Sequence, residues 1–235
     1  MIGALAGLAM LAGPGCSSKG QEGAEPLLLF TSLPVYWPEA ADLATTLKGE
    51  EPPHWARRAI EERRALRPVD TLDAATLKGR RDLLMIQPRP LSPAENVALD
   101  EWVATGGRLL LFADPALTAA TTFALGDRRR PQDIVLLSPI LARWGLRLEF
   151  DAEQAAGEHA VELDGVSIPV DLPGRFAAAS GGRADASCRI GQNAVLATCG
   201  VGKGRVLAIA DAALFEPVDE PARRSALDAL MTRAF

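Results

Sequence analysis

Three pieces of sequence decide the fold of this chain. They are Leu83-Leu84-Met85-Ile86-Gln87-Pro88, then Ser92-Pro93-Ala94-Glu95, then Gly106-Gly107-Arg108-Leu109-Leu110-Leu111-Phe112-Ala113-Asp114-Pro115. Two short apolar runs flank a segment that opens with Ser, Pro and Glu and closes on paired glycines. Ser92 and Glu95 have capping-box spacing, Pro93 suits the first helical position, and Gly suits the position just past a helix. The unit is therefore β-α-β. A helical crossover makes its strands parallel, and strands that are apolar throughout are buried on both faces. Val97, Ala98, Trp102 and Val103 form the expected inward stripe of the helix.

Upstream, Leu27 to Ser32 predicts a strand leading into the turn Leu33-Pro34-Val35-Tyr36-Trp37-Pro38-Glu39. Helices are expected from about Pro38 to Leu47 and from Pro53 through Leu66, with Arg57, Arg58, Glu61, Glu62, Arg63 and Arg64 on an outer, ion-paired face. A short strand over Arg67–Thr71 and a helical turn over Asp73–Leu77 follow. Downstream of Asp114 the expectation is a helical segment through Ala124 and a charged loop over Gly126–Gln132. Beyond these come a helix capped by Ser138-Pro139 and ending at Trp144-Gly145, and a strand over Leu146–Phe150. Short alternating runs between about residues 155 and 200 predict a β-hairpin excursion. Gly200-Val201-Gly202-Lys203-Gly204 then turns into the buried strand Arg205–Asp211, and a helix from about Pro221 to Ala234 closes the chain. The fold class is α/β: a mostly parallel sheet flanked by helices, with Ile86, Leu110 and Leu207 in one sheet.

Residues 1–15 carry no charge and are too few to span a bilayer, which reads as the apolar core of a secretory signal. Cys16 follows, then the polar stretch Ser17-Ser18-Lys19-Gly20-Gln21-Glu22-Gly23. The pattern resembles a bacterial lipoprotein signal, with Cys16 as the lipidated residue and a membrane reached through a lipid anchor. A cleaved signal or a simple anchor is the alternative. The organisation is thus a signal segment over 1–15, a tether over 16–25 and one α/β domain over 26–235. The other cysteines, Cys188 and Cys199, fall opposite one another when the chain folds back about Asn193-Ala194. They are a candidate disulfide or two packed thiols.

The net charge of −5 argues against nucleic acid as a partner, because phosphate binding needs concentrated positive charge. Arg128-Arg129-Arg130 is a local exception and reads as a solvated loop.

In open parallel sheets, ligands gather beyond the carboxyl ends of the strands. There the sequence places Ser32, Tyr36, Trp37, Gln87, Asp114 and Asp211, the candidate ligand-binding residues for a polar ligand such as a sugar or peptide. Each also has a plainer use: Asp114 and Asp211 stand where helix caps belong, and Tyr36 and Trp37 can pack against the next helix. No catalytic residue is assigned. There is no nucleophile elbow, and His54 and His159 have no triad partners. Scattered carboxylates with two histidines give no metal-ligand pattern. Gly200, Gly202 and Gly204 lead into a strand, not a phosphate-cradling helix, so no cofactor is expected.

Leu84 to Glu95, Leu99 to Pro115, Ser138-Pro139-Ile140-Leu141-Ala142-Arg143-Trp144-Gly145-Leu146 and Gly202 to Asp211 together resemble the GldG-like auxiliary proteins of ABC transporters. The soluble domain of that family resembles a class I glutamine amidotransferase stripped of its catalytic residues. The resemblance implies a flavodoxin-like or glutamine amidotransferase-like sheet and an extracytoplasmic location on the periplasmic side of the envelope. It also implies a non-catalytic role beside ABC permease and ATPase components. Two other readings stand beside it: a hydrolase using Asp114 and Asp211, and an envelope scaffold whose shallow carboxyl edge is filled by Tyr36 and Trp37.

Overall fold

The protein is described here by a computed structural model, covering residues 25–39 and 52–235. The signal segment, Cys16, most of the tether and the helix expected over Pro38–Leu47 fall outside the described residues.

Apolar runs with no polar interruption form the middle of the sheet. β1 (Leu27–Thr31), β3 (Asp82–Ile86), β4 (Arg108–Phe112) and β11 (Gly204–Ile209) are hydrogen-bonded side by side, and nearly every residue in them is buried. With β2 (Leu66–Pro68), β9 (Ala186–Ile190) and β10 (Leu196–Val201) they make seven strands in the order β2-β1-β3-β4-β11-β10-β9. The first five are parallel and the last two antiparallel. Leu84 pairs with Leu110 and Leu110 with Leu207, so the predicted central strands share one sheet.

Strands buried on both faces require helices on both. α3 (Pro93–Ala104) packs between α2 (Ala74–Leu77) and α4 (Ser138–Arg143), while α5 (Pro221–Ala234) packs against α1 (Trp55–Glu61) and the sheet. The α3 cap has the expected form: Ser92 Oγ accepts the Glu95 N–H at 3.2 Å, and Glu95 accepts the Ser92 N–H at 2.9 Å. Its inward stripe is Leu99, Trp102 and Val103. Val97 points outward and is 58% exposed, one residue out of phase with the buried face.

Gly204 shows how closely α3 approaches the sheet. A Cβ there would lie 1.9 Å from the Val103 carbonyl oxygen and 2.4 Å from that of Gly107. Only hydrogen fits.

Several expected elements differ. α1 ends at Glu61, because Leu66 belongs to β2 and the chain must turn between them. Residues 113–137 contain no helix. The Leu117 N–H donates to Asp133 and the Val135 N–H to Asp114, so this stretch is a loop folded back on itself. Its Thr and Ala residues supply no apolar stripe to hold a helix on the core. Ser138 is the first residue of α4 rather than its cap, which is Leu137 without a side-chain bond.

The segment after β4 also departs from a simple excursion. β5 (Leu146–Glu149) leaves the main sheet and pairs with β8 (Arg175–Ala178), while β6 (His159–Leu163) and β7 (Val166–Val170) form a hairpin. Residues 186–201, by contrast, are not an excursion. The turn at Gly202-Lys203 returns β10 against β11, so β9 and β10 continue the main sheet. Cys188 and Cys199 pair directly across these strands and are joined by a disulfide. Among the described residues no helix is long and apolar enough to cross a membrane.

Candidate functional site at the carboxyl edge

Parallel strands β1, β3, β4 and β11 all end at one edge, which brings Ser32, Gln87, Asp114 and Asp211 into a row. Each is tied to backbone. Ser32 Oγ donates to the Gln87 carbonyl and accepts the Gln132 N–H at 3.0 Å. The Gln87 amide donates to the Asp114 and Gln132 carbonyls at 3.0 and 2.7 Å and accepts the Asp114 N–H at 2.9 Å. All three of its hydrogen-bonding positions are thus engaged. They also hold Gln87 at φ +42, a left-handed conformation that side chains other than Gly adopt at a cost. Gln87 is a strut between strands, fully buried.

Asp114 is 1% exposed and Asp211 2%. Asp114 Oδ1 accepts the Ala116 N–H at 2.8 Å, and its Oδ2 accepts the Ala212 N–H at 3.1 Å. Asp211 Oδ1 accepts the Ala213 N–H at 2.7 Å, and its Oδ2 accepts the Asp171 N–H at 3.0 Å. No α-helix begins directly after either residue: Asp114 holds a turn, and Asp211 accepts the first N–H of a short 3-10 helix over Ala213–Phe215. Asp114 also fastens the loop after β11, and Asp211 fastens the segment after β7. Burial pushes the Asp114 carboxyl up to about 6, against the pull of its two N–H partners. Asp211 is raised well above the ordinary range, first by burial and then by the neighbouring Asp114 charge. A carboxylate in low dielectric beside another resists ionising.

The exposed side of this edge is different. Tyr36 and Trp37 meet edge to face with centroids 4.9 Å apart, and the Arg57 guanidinium stacks over the Tyr36 ring, 4.0 Å from its centroid. Trp37 is 69% exposed. With Ser32, Asp70, Phe123 and Arg129 these two residues line a cleft of about 240 Å³ beyond the ends of β1 and β2. Arg129 lies 4.3 Å over the Phe123 ring and is held by both oxygens of Asp127. The basic triplet is thus not simply solvated: Arg130 pairs with Asp133 and donates to the Phe123 carbonyl at 2.9 Å.

The six residues predicted for one pocket therefore divide. Ser32, Tyr36 and Trp37 border the cleft, while Gln87, Asp114 and Asp211 are sealed beneath the surface. Phe123 and Arg129 were missed, because the 113–137 stretch was expected to begin as a helix. The one signal that pointed there was the arginine triplet.

A second cluster braces the same edge. Buried Arg223 donates to the Ala213 carbonyl at 2.5 Å and pairs with Glu158. His54 is the cap of α1, not a residue within a longer charged helix, and its Nε2 lies 3.1 Å from the Phe215 carbonyl. Burial lowers its pKa. Among the described residues, no group of three or more His, Cys, Asp or Glu side chains converges to hold a metal ion.

A mixed, mostly parallel seven-stranded sheet with helices on both faces and a cleft at its carboxyl edge defines an α/β domain. Residues 54–216 match the family described as Domain of unknown function (DUF4350), and the chain belongs to that family. No curated protein matches it. Among solved structures it is similar to Gan42B, a GH42 beta-galactosidase from G. stearothermophilus, with a TM-score of 0.50 and 14% identity over 89% of this chain and 30% of that one. It is also similar to a putative ThuA-like protein from Bacteroides uniformis ATCC 8492, with a TM-score of 0.45 and 12% identity over 95% and 94% of the two chains. The chain spans less than a third of the length of the galactosidase. At such identities the first likeness speaks for the fold alone.

Proposed function

We propose that this protein is a non-catalytic, extracytoplasmic accessory protein that binds a polar ligand at its carboxyl-edge cleft and works beside an ABC-type transport system. One observation carries the non-catalytic part: the strand-end groups Ser32, Gln87, Asp114 and Asp211 are each consumed by backbone, while the cleft beside them presents the Tyr36, Trp37 and Phe123 rings and an arginine already held by Asp127. Such a surface suits stacking on a sugar or a peptide; Asp70 and Glu39 are the carboxylates in its lining, and no histidine or cysteine joins them. The transporter link, the lipid anchor at Cys16 and the periplasmic placement are supported by the resemblance and the leader sequence.

The finer fold assignment belongs to the same proposal. The parallel order β2-β1-β3-β4-β11 corresponds to the flavodoxin-like order 2-1-3-4-5, which supports a flavodoxin-like or amidotransferase-like ancestry. In such sheets the ligand crevice opens between the first and third strands. Here the Ser32 bond to Gln87 closes that crevice, and the cleft lies one strand over, between β1 and β2.

The rival hydrolase has one observation in its favour, the two adjacent buried carboxylates with raised pKa values. Their burial leaves no path for a substrate. The scaffold reading expects Trp37 to fill the edge, whereas Trp37 stands largely in solvent beside an open cleft.

The decisive test combines two variants with the purified full chain. Trp37→Ala should abolish fluorescence changes produced by oligosaccharides or short peptides without altering the melting temperature. Asp114→Asn with Asp211→Asn should lower stability. Hydrolytic turnover that disappears in a still-folded double variant would overturn the non-catalytic reading. Failure of an ATPase and permease to co-purify from solubilised membranes would remove the transporter link.

A further inference from the structure

We propose that the amino edge of the sheet, opposite the cleft, is the face that lies against an anionic phospholipid surface. The lipid-anchor reading enters here only as the direction from which the membrane approaches.

Lys78, Arg80 and Arg81 surround an open cavity of about 670 Å³ where β3 and β4 begin. Lys203 stands beside it on the β10–β11 turn, its N–H donating to the Ala104 carbonyl at the end of α3 at 2.9 Å. Among the described residues, none of these four cations is in an ion pair. Nearby Arg64 and Arg108 both pair with Asp82 and are spent. Across the molecule, Arg129 and Arg130 are neutralised by Asp127 and Asp133. Glu25 and Glu101 are the carboxylates on the cavity rim. A chain of net charge −5 thus keeps unpaired cations together at this edge.

The basic loop is also held rigid. The Trp102 indole donates to the Arg80 carbonyl at 2.8 Å, and the Arg108 N–H donates to the Arg81 carbonyl at 2.7 Å. Cations on a braced loop meet a charged surface without a large ordering cost.

Chain connectivity selects the occupant. The described chain enters β1 from this same edge at Glu25, whose carbonyl accepts from Arg64 at 2.8 Å. Residues 16–24 can reach at most about 30 Å fully extended, so an anchor at Cys16 draws the amino edge, not the cleft, toward the bilayer. Phosphate headgroups then face Lys78, Arg80, Arg81 and Lys203, and the Tyr36–Trp37 cleft opens away from the membrane.

The test uses the full chain carrying Cys16→Ala, which cannot be lipidated, sedimented with vesicles of phosphatidylcholine alone or mixed with phosphatidylglycerol. Binding should favour the anionic vesicles and weaken as salt is raised. Lys78→Glu with Arg81→Glu should lower it by at least tenfold, at roughly fivefold per cation removed. Arg128→Glu, on the opposite edge, should leave binding unchanged. Equal binding to both vesicle types would overturn the proposal, as would a loss with Arg128→Glu matching that of the double variant. Lipidation itself is read separately, by mass spectrometry of the mature N-terminus. A missing anchor is therefore not confused with a missing surface.

Discussion

Asp114, at the end of β4, reaches across to the chain leaving β11 and accepts the Ala212 N–H at 3.1 Å. One side chain thereby locks two neighbouring parallel strands at their tips, in a site that excludes water. The same placement makes it a carboxyl that ionises reluctantly.

Stability should therefore depend on pH in a way set by this residue. Its folded pKa of about 6 lies above the ordinary 3.8, so the native state holds the proton more tightly. The stability this contributes is complete below about pH 4 and is lost as pH rises through about 6. Asp211 acts with the same sign. Asp114→Asn should flatten that slope and, by facing an amide –NH₂ toward one of the two N–H donors, cost about 1–3 kcal/mol at neutral pH. Urea titrations between pH 4 and 8 measure both.

Glu95 gives the opposite pH response. Arg89 pairs with it, and the Ser92 and Leu72 N–H groups donate to it at 2.9 and 3.1 Å, holding its pKa down at about 2. Its contribution is present above about pH 4.5 and disappears as pH falls toward 2. Glu95→Ala should cost about 2 kcal/mol at pH 7 and much less in strong acid. Unfolding midpoints of the pair at the two pH values decide it.

Gly204→Ala should be severely destabilising, by about 1–3 kcal/mol or more, since the added carbon meets backbone oxygens that cannot move aside. Gly200→Ala, four residues earlier in the same hairpin, meets nothing within 4 Å and should be near neutral. Thermal melts of the two variants should differ widely. Equal melting points would mean that α3 does not sit as close to β11 as described.

Reducing the Cys188–Cys199 bridge should lower stability by roughly 2–3 kcal/mol, for a loop closed over a sequence separation of 11. The loss should be confined to unfolding free energy, with ligand response at Trp37 unchanged, because the bridge lies on the far strands of the sheet. Chemical denaturation with and without reductant is the measurement.

The sequence by itself determined the β3–α3–β4 unit, the tight turn at Gly202-Lys203 and the facing cysteines. The signals are short-range: Ser92 meets Glu95 three residues on, Gly106 takes the φ of +123 that ends the helix, and the two cysteines lie within one hairpin, 11 residues apart. Uninterrupted apolar runs likewise announced burial on both faces. Only the tertiary structure decided what the strand tips do. Gln87, Asp114 and Asp211 look like ligand-binding groups until Gln132, Ala212 and Asp171 arrive from distant parts of the chain to consume them. It also decided that β5 leaves the main sheet and that Phe123 and Arg129 join Tyr36 and Trp37. Local patterns state what a side chain can bond. Which partner reaches it, and whether water still can, depends on contacts between residues far apart in sequence.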